Sequence, residues 1–208
     1  MSSTASPLSM SSTASTPRSA ADREGDAVKY AIFLRGVNVG GRGKLSMSDL
    51  RGALENAGFA DVSTYLQSGN AVVSVPGRSS AAKVAGRVEA AIVAALGASP
   101  QLVVRTHREL AAVIDGNPFT AAAAEKPAWL HVFFLSAPPD PEAPVAQAKL
   151  GPDRYAFGDR CVYLHFVNSP GTSRSGEIVC RGALRTHEGA FATARNWNTV
   201  LAMAERTA

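Results

Sequence analysis

The sequence predicts an α+β protein built as two ferredoxin-like βαββαβ halves with antiparallel sheets behind a disordered N-terminal tail, and three observations predict it. Apolar β-prone runs and runs of helical period alternate in the order strand, helix, strand, strand, helix, strand. That order can be read twice along the chain. Residues 1–27, in contrast, are rich in Ser, Thr, Ala and Pro and carry no aromatic residue, so they cannot offset the entropy cost of ordering.

The first half spans 28–106. Val28 to Arg35 (VKYAIFLR) is an apolar strand that Gly36 stops. After a glycine-rich loop, Ser46 and Asp49 stand like a capping box with Asp in place of Glu. Leu50, Ala53, Leu54 and Ala57 then recur at helical spacing until Gly58. Val62 to Gln67 and Ala71 to Val75 flank the short turn Ser68-Gly69-Asn70 and read as a hairpin. A second helix runs from Ser79 to Leu96 with Gly97 behind it, and a short strand covers Leu102 to Arg105.

The second half spans 107–208. A linking helix at Arg108 to Ile114 leads to a strand at Trp129 to Leu135, a short Pro-bounded helix near Pro144 to Leu150, and strands at Arg154 to Phe157 and Cys161 to Val167 around the turn Gly158-Asp159-Arg160. A helix from Ser175 to Leu184, a strand at Ala190 to Ala194 and a terminal helix from Asn198 complete it.

Composition narrows the function classes. The 208 residues are 46% hydrophobic, enough for a core without staples. Neither a signal-peptide core nor a run of about 18 apolar residues occurs, so no membrane partner and a cytoplasmic location are expected. Cys161 and Cys180 have no metal-like or redox spacing and read as two inert thiols. The net charge of +4 is uneven: 28–106 holds nine Lys and Arg against four Asp and Glu, whereas 107–208 holds ten of each. Attraction for anions therefore belongs to the first half, where Arg35, Arg42, Lys44 and Arg51 cluster.

Topology turns that cluster into a candidate site. A helical crossover makes the first two strands parallel, so the loop leaving the first strand and the hairpin leaving the second lie at one end of the sheet. Gly36 to Gly43 and Ser68-Gly69-Asn70 should be neighbours, beside a helix N-terminus whose free N–H groups favour an anion. The stretch is no Walker A loop, because Asn38 and Leu45 occupy positions that motif reserves for Gly and for Ser or Thr. The dinucleotide fingerprint fails too, with Ser46 at its third glycine.

Other constellations are missing. His107, His131, His165 and His187 lack metal-ligand spacing, and no GxSxG elbow is present. No metal site, no cofactor and no reaction follows. Strand pleating puts Tyr30, Ile32 and Leu34 toward the helices and Phe33, Arg35, Tyr65 and Gln67 on the opposite face. Such a face can stack RNA bases, but it lacks the aromatic pair that RNA-recognition domains carry on the third strand, and packing against the second half is the favoured reading. At the C-terminus, Asn196 or Asn198 can cap the last helix with Trp197 as its anchor, and Arg195 can tie the halves or contact a ligand.

LRGVNVGG, KLSMSDL, TYLQSGN, NPF at 117–119 and TARNWNTV together resemble the bacterial domain-of-unknown-function family numbered 1697. The resemblance implies two ferredoxin-like halves and no established reaction. It also selects positions for which the first half offers no structural role: Arg35, Asn38, Lys44, Ser68 and Asn70. The leading expectation is a small phosphate- or carboxylate-bearing ligand held by Arg35, Asn38, Gly40, Gly41, Lys44, Ser68 and Asn70, with Arg195 nearby. The alternatives are an RNA-binding module using the basic half, and a structural or interaction protein in which Arg35 and Arg195 join the halves.

Overall fold

The computed structural model describes residues 27–37, 45–97, 99–140, 142, 145 and 147–208. Residues 1–26 of the expected tail lie outside the described residues. The first half comprises β1 (Ala27–Leu34), α1 (Met47–Asn56), β2 (Ala60–Tyr65), β3 (Asn70–Pro76), α2 (Ala81–Leu96) and β4 (Leu102–Thr106). The chain continues through α3 (His107–Asp115) and α4 (Thr120–Glu125) into β5 (Leu130–Leu135), β6 (Arg154–Gly158), β7 (Cys161–His165), α5 (Ser175–Ala183), β8 (Ala192–Asn196) and α6 (Trp197–Thr207). The sheets run β2-β3-β1-β4 and β6-β7-β5-β8, with every neighbouring pair antiparallel. These are two copies of one strand order.

Helix ends follow the expected chemistry. Ser46 Oγ accepts from the Asp49 amide at 3.0 Å, and Ser80 Oγ caps α2. Gly97 ends α2 in the left-handed region at φ 65°, where a Cβ would be strained. Thr106 and Glu109 form a full capping box on α3, and Asn196 caps α6 by accepting from the Thr199 amide at 3.0 Å.

Several boundaries differ from the sequence reading: Ala27, expected in the tail, opens β1, β2 lies two residues earlier than Val62 to Gln67, and β7 ends at His165 instead of Val167. The last strand lies two residues later, at Ala192–Asn196, because Val132 of β5 pairs with Arg195; a buried arginine followed directly by Asn196 reads as loop. The first crossover of the second half is a 3-10 turn, Gln147–Lys149, while Pro144 and Ala146 lie outside the described residues. Helix α4 and the 3-10 turn Pro127–Trp129 were not expected, since TAAAAE has no apolar period.

Packing makes layers. Tyr30, Ile32 and Leu34 point to α1 and α2, where Leu54, Val84, Val88 and Ile92 cover them. Phe33, Ala31 and Val103 point the other way, into a core shared with Val132, Phe134 and Tyr163 of the second sheet and with α3 and α6. Leu135 and Val162 face α5 on the far side. At the centre Phe33 stacks on Phe134, with ring centroids 4.5 Å apart and planes 10° from parallel, worth about 1 kcal/mol beyond its burial. Phe33 is wholly buried in the core shared with the second sheet, so the second half packs on this face, as the sequence favours over RNA stacking. Among the described residues no helix is long and apolar enough to cross a membrane.

Candidate functional site

The exit of β1 and the β2–β3 turn do meet. The Leu34 amide donates to the Gly69 carbonyl at 2.8 Å. A Cβ on Gly69, whose φ is 76°, would lie 2.3 Å from Val37 Cγ2 and 2.8 Å from Leu34 Cβ. Only glycine lets the two segments approach this closely.

What fills the meeting point is Arg195. Its guanidinium arrives from β8 of the other half and is buried. Nε donates to Asn70 Oδ1; Nη1 donates to Thr193 Oγ1 at 2.9 Å and the Ala194 carbonyl at 2.7 Å. Nη2 reaches the carbonyls of Leu34 at 2.8 Å, Ser68 at 3.1 Å and Gly69 at 3.2 Å. Asn70, fully buried, spends its amide nitrogen on the Tyr65 carbonyl and Ser68 Oγ. Every donor of Arg195 is thus used, and among the described residues no carboxylate pairs with it. Burial lowers its pKa to about 10, which leaves it charged at neutral pH. Its guanidinium carbon sits 5.4 Å from the Phe33 ring centroid, a cation–π contact.

Arg35 points elsewhere. Its amide donates to the Gln101 carbonyl at 2.8 Å, and its side chain donates to Gln101 Oε1. The guanidinium lies 5.9 Å from the Phe191 ring and lines a groove of about 630 Å³ with Arg181, Arg185, Phe133, Phe191 and Glu177. Glu177 pairs with Arg181 at 2.6 Å and with Arg174 at 3.2 Å, and Arg185 pairs with Asp140 at 2.8 Å. Cys180 also lines the groove, but burial pushes its thiol up to about 12 despite the opposing charge of Arg35, so it is no nucleophile at neutral pH. The structure therefore brings Ser68, Asn70 and Arg195 together and places Arg35 over the second half. Asn38, Gly40, Gly41 and Lys44 lie outside the described residues.

Sequence reasoning missed two groups. Asp153 is buried and accepts from Ser173 Oγ at 2.6 Å, Ser175 Oγ at 2.8 Å and the Val167 amide at 3.0 Å. Burial alone would raise its pKa, but these three donors outweigh it and hold the carboxyl below its ordinary value. The other is Arg105, 2% exposed at the end of β4. The recurrence of an arginine immediately before a helix-capping residue, Arg105-Thr106 and Arg195-Asn196, is the signal that could have found it.

Fold and groove define an α+β protein of two duplicated ferredoxin-like halves with an arginine-lined cleft along one of them. The chain belongs to the family described as Protein of unknown function (DUF1697), which matches residues 28–163 and stops short of the RNWNT motif. Its structure is similar to that of the conserved bacterial protein SP0830 from Streptococcus pneumoniae, with a TM-score of 0.64 over 88% of this chain and 99% of that one at 21% identity. That likeness is one of fold. No curated protein matches the chain.

Proposed function

We propose that the protein binds a small phosphate- or carboxylate-bearing ligand in the groove anchored by Arg35. One observation carries this reading: three guanidinium groups, Arg35, Arg181 and Arg185, line one cleft of about 630 Å³ in which, among the described residues, Glu177 is the single carboxylate. Phe133 and Phe191 supply apolar walls for the body of a ligand, the usual division of labour in small-molecule sites. Arg35 and Arg185 are partly solvated, so an incoming anion can take their donors without dismantling the core. Among the described lining residues the carboxylate of Glu177 is held by Arg174 and Arg181 and the Cys180 thiol stays protonated, so the reading is one of binding. A cytoplasmic setting accords with the two free cysteines.

The test is a thermal-shift and calorimetric screen of sugar phosphates, nucleotides and dicarboxylates against the wild type and Arg35→Ala. A ligand that binds only the folded state raises its melting temperature. Arg35→Ala should keep the wild-type melting temperature in the absence of ligand and weaken binding about tenfold, the size of one charge-assisted contact. Equal binding by both proteins would sink the proposal.

A further inference from the structure

The duplication supplies a second arginine in the place of Arg195. Ala31 of β1 pairs with Arg105 as Val132 of β5 pairs with Arg195. Arg105 crosses to the other half as Arg195 does: Nη2 donates to the carbonyls of Leu135 at 2.9 Å and Arg160 at 3.1 Å, the counterparts of Leu34 and Gly69. It lies 5.8 Å from the Phe134 ring. The copies then part. Phe33 pairs with Asn70, whose oxygen takes the Nε proton of Arg195, but Phe134 pairs with Cys161. At the position of Thr193 in β8 the first half has Val103 in β4. The two side-chain acceptors that saturate Arg195 are absent around Arg105.

Its Nε has accordingly no acceptor among the described residues. No side-chain nitrogen sealed from solvent there lacks a partner, so this Nε keeps contact with solvent, and Arg105 lines a pocket of about 400 Å³. Arg108 and Arg160 line the same pocket opposite Glu109 and Asp159. Glu109 is engaged by the Thr106 amide and hydroxyl at 2.8 and 2.9 Å, with Arg160 4.0 Å away. The guanidinium stays charged, its pKa lowered to about 10 by burial first and by Arg160 second.

We infer that this pocket is a second ligand site, distinct from the Arg35 groove, in which a small oxyanion accepts from Arg105 Nε the hydrogen bond that Asn70 accepts from Arg195. Arg108 and Arg160 supply its outer charge. The same chemistry serves a phosphate or a carboxylate, and the two are told apart by titrating each.

The experiment follows the arginine Nε–H resonances in a 1H–15N spectrum while inorganic phosphate, and separately malonate, is added. The Arg105 signal should move saturably with at least one of them and the Arg195 signal should stay still. Arg35→Ala should leave the Arg105 response intact, which separates this site from the groove. Cys161→Asn, which puts an amide oxygen where Asn70 has one, should weaken the response about tenfold or more; Cys161→Ser and Arg108→Gln give the same reading, at about three- to tenfold, should the asparagine not fold. An Arg105 signal that does not move, that moves without saturating, that is lost in Arg35→Ala, or that keeps its affinity in every folded variant overturns the inference.

Discussion

Arg195 and Arg105 occupy one position in a repeated fold and have different surroundings. The first has an acceptor for every N–H and closes the end of the first sheet; the second has no acceptor for Nε among the described residues and lines a pocket. The difference rests on two side chains, Asn70 against Cys161 and Thr193 against Val103. It teaches that a buried arginine without a carboxylate partner can be pure architecture when carbonyls and an amide surround it, and a reception point when they do not. Burial alone does not separate the two cases. The count of acceptors does.

Stability measurements can break this comparison. Arg195→Met should cost most, about 3–5 kcal/mol in urea denaturation, because it strips donors from the carbonyls of Leu34, Ser68 and Gly69 and from Asn70. Arg105→Met should cost less, about 1–3 kcal/mol, since fewer acceptors depend on it; equal costs would remove the distinction. Gly69→Ala should rank between them at about 3 kcal/mol, from its positive φ and the contact with Val37.

A second contrast concerns helix starts. Helix α2 begins on its own Ser80 cap, whereas α5 has no side-chain cap and is pinned through Ser173 and Ser175 to buried Asp153. Asp153→Asn should therefore cost about 2 kcal/mol near pH 7, against about 1 kcal/mol for Ser80→Ala. The carboxyl's pKa is lower folded than unfolded, so its contribution is complete above the ordinary value of 3.8 and is lost as pH falls through the folded value. The gap between wild type and Asp153→Asn should close in acid and be flat at neutral pH. The smallest effect is expected at Leu66, exposed at the hairpin tip with φ 56°. Leu66→Gly should stabilise by about 0.5 kcal/mol.

Much of the fold was legible because most strands and helices carry their own signals: VKYAIFLR alternates its faces as Phe33 and Ile32 do in the two cores, and Ser46, Gly97 and Asn196 cap where capping chemistry places them. The last strand slipped because Arg195, the residue that defines its register, looks polar and external in sequence. The meeting of Gly69 with the exit of β1 followed from topology. The direction of Arg35 did not, since a residue at the end of a strand can turn toward either layer, and only Gln101 and Phe191 decide it. Arg105 stayed hidden at the end of LVVR because whether its Nε finds an acceptor depends on residue 161, 56 positions away.

The stacked pair Phe33–Phe134, flanked by two arginines that cross in opposite senses, has the form of a self-complementary contact between identical subunits. In a true dimer each substitution appears twice, so a change that opened one arginine would open both and forfeit the closure of both sheets. Joined in one chain, the two copies are free to diverge. One arginine can stay committed to holding the molecule shut while its twin becomes available to solutes.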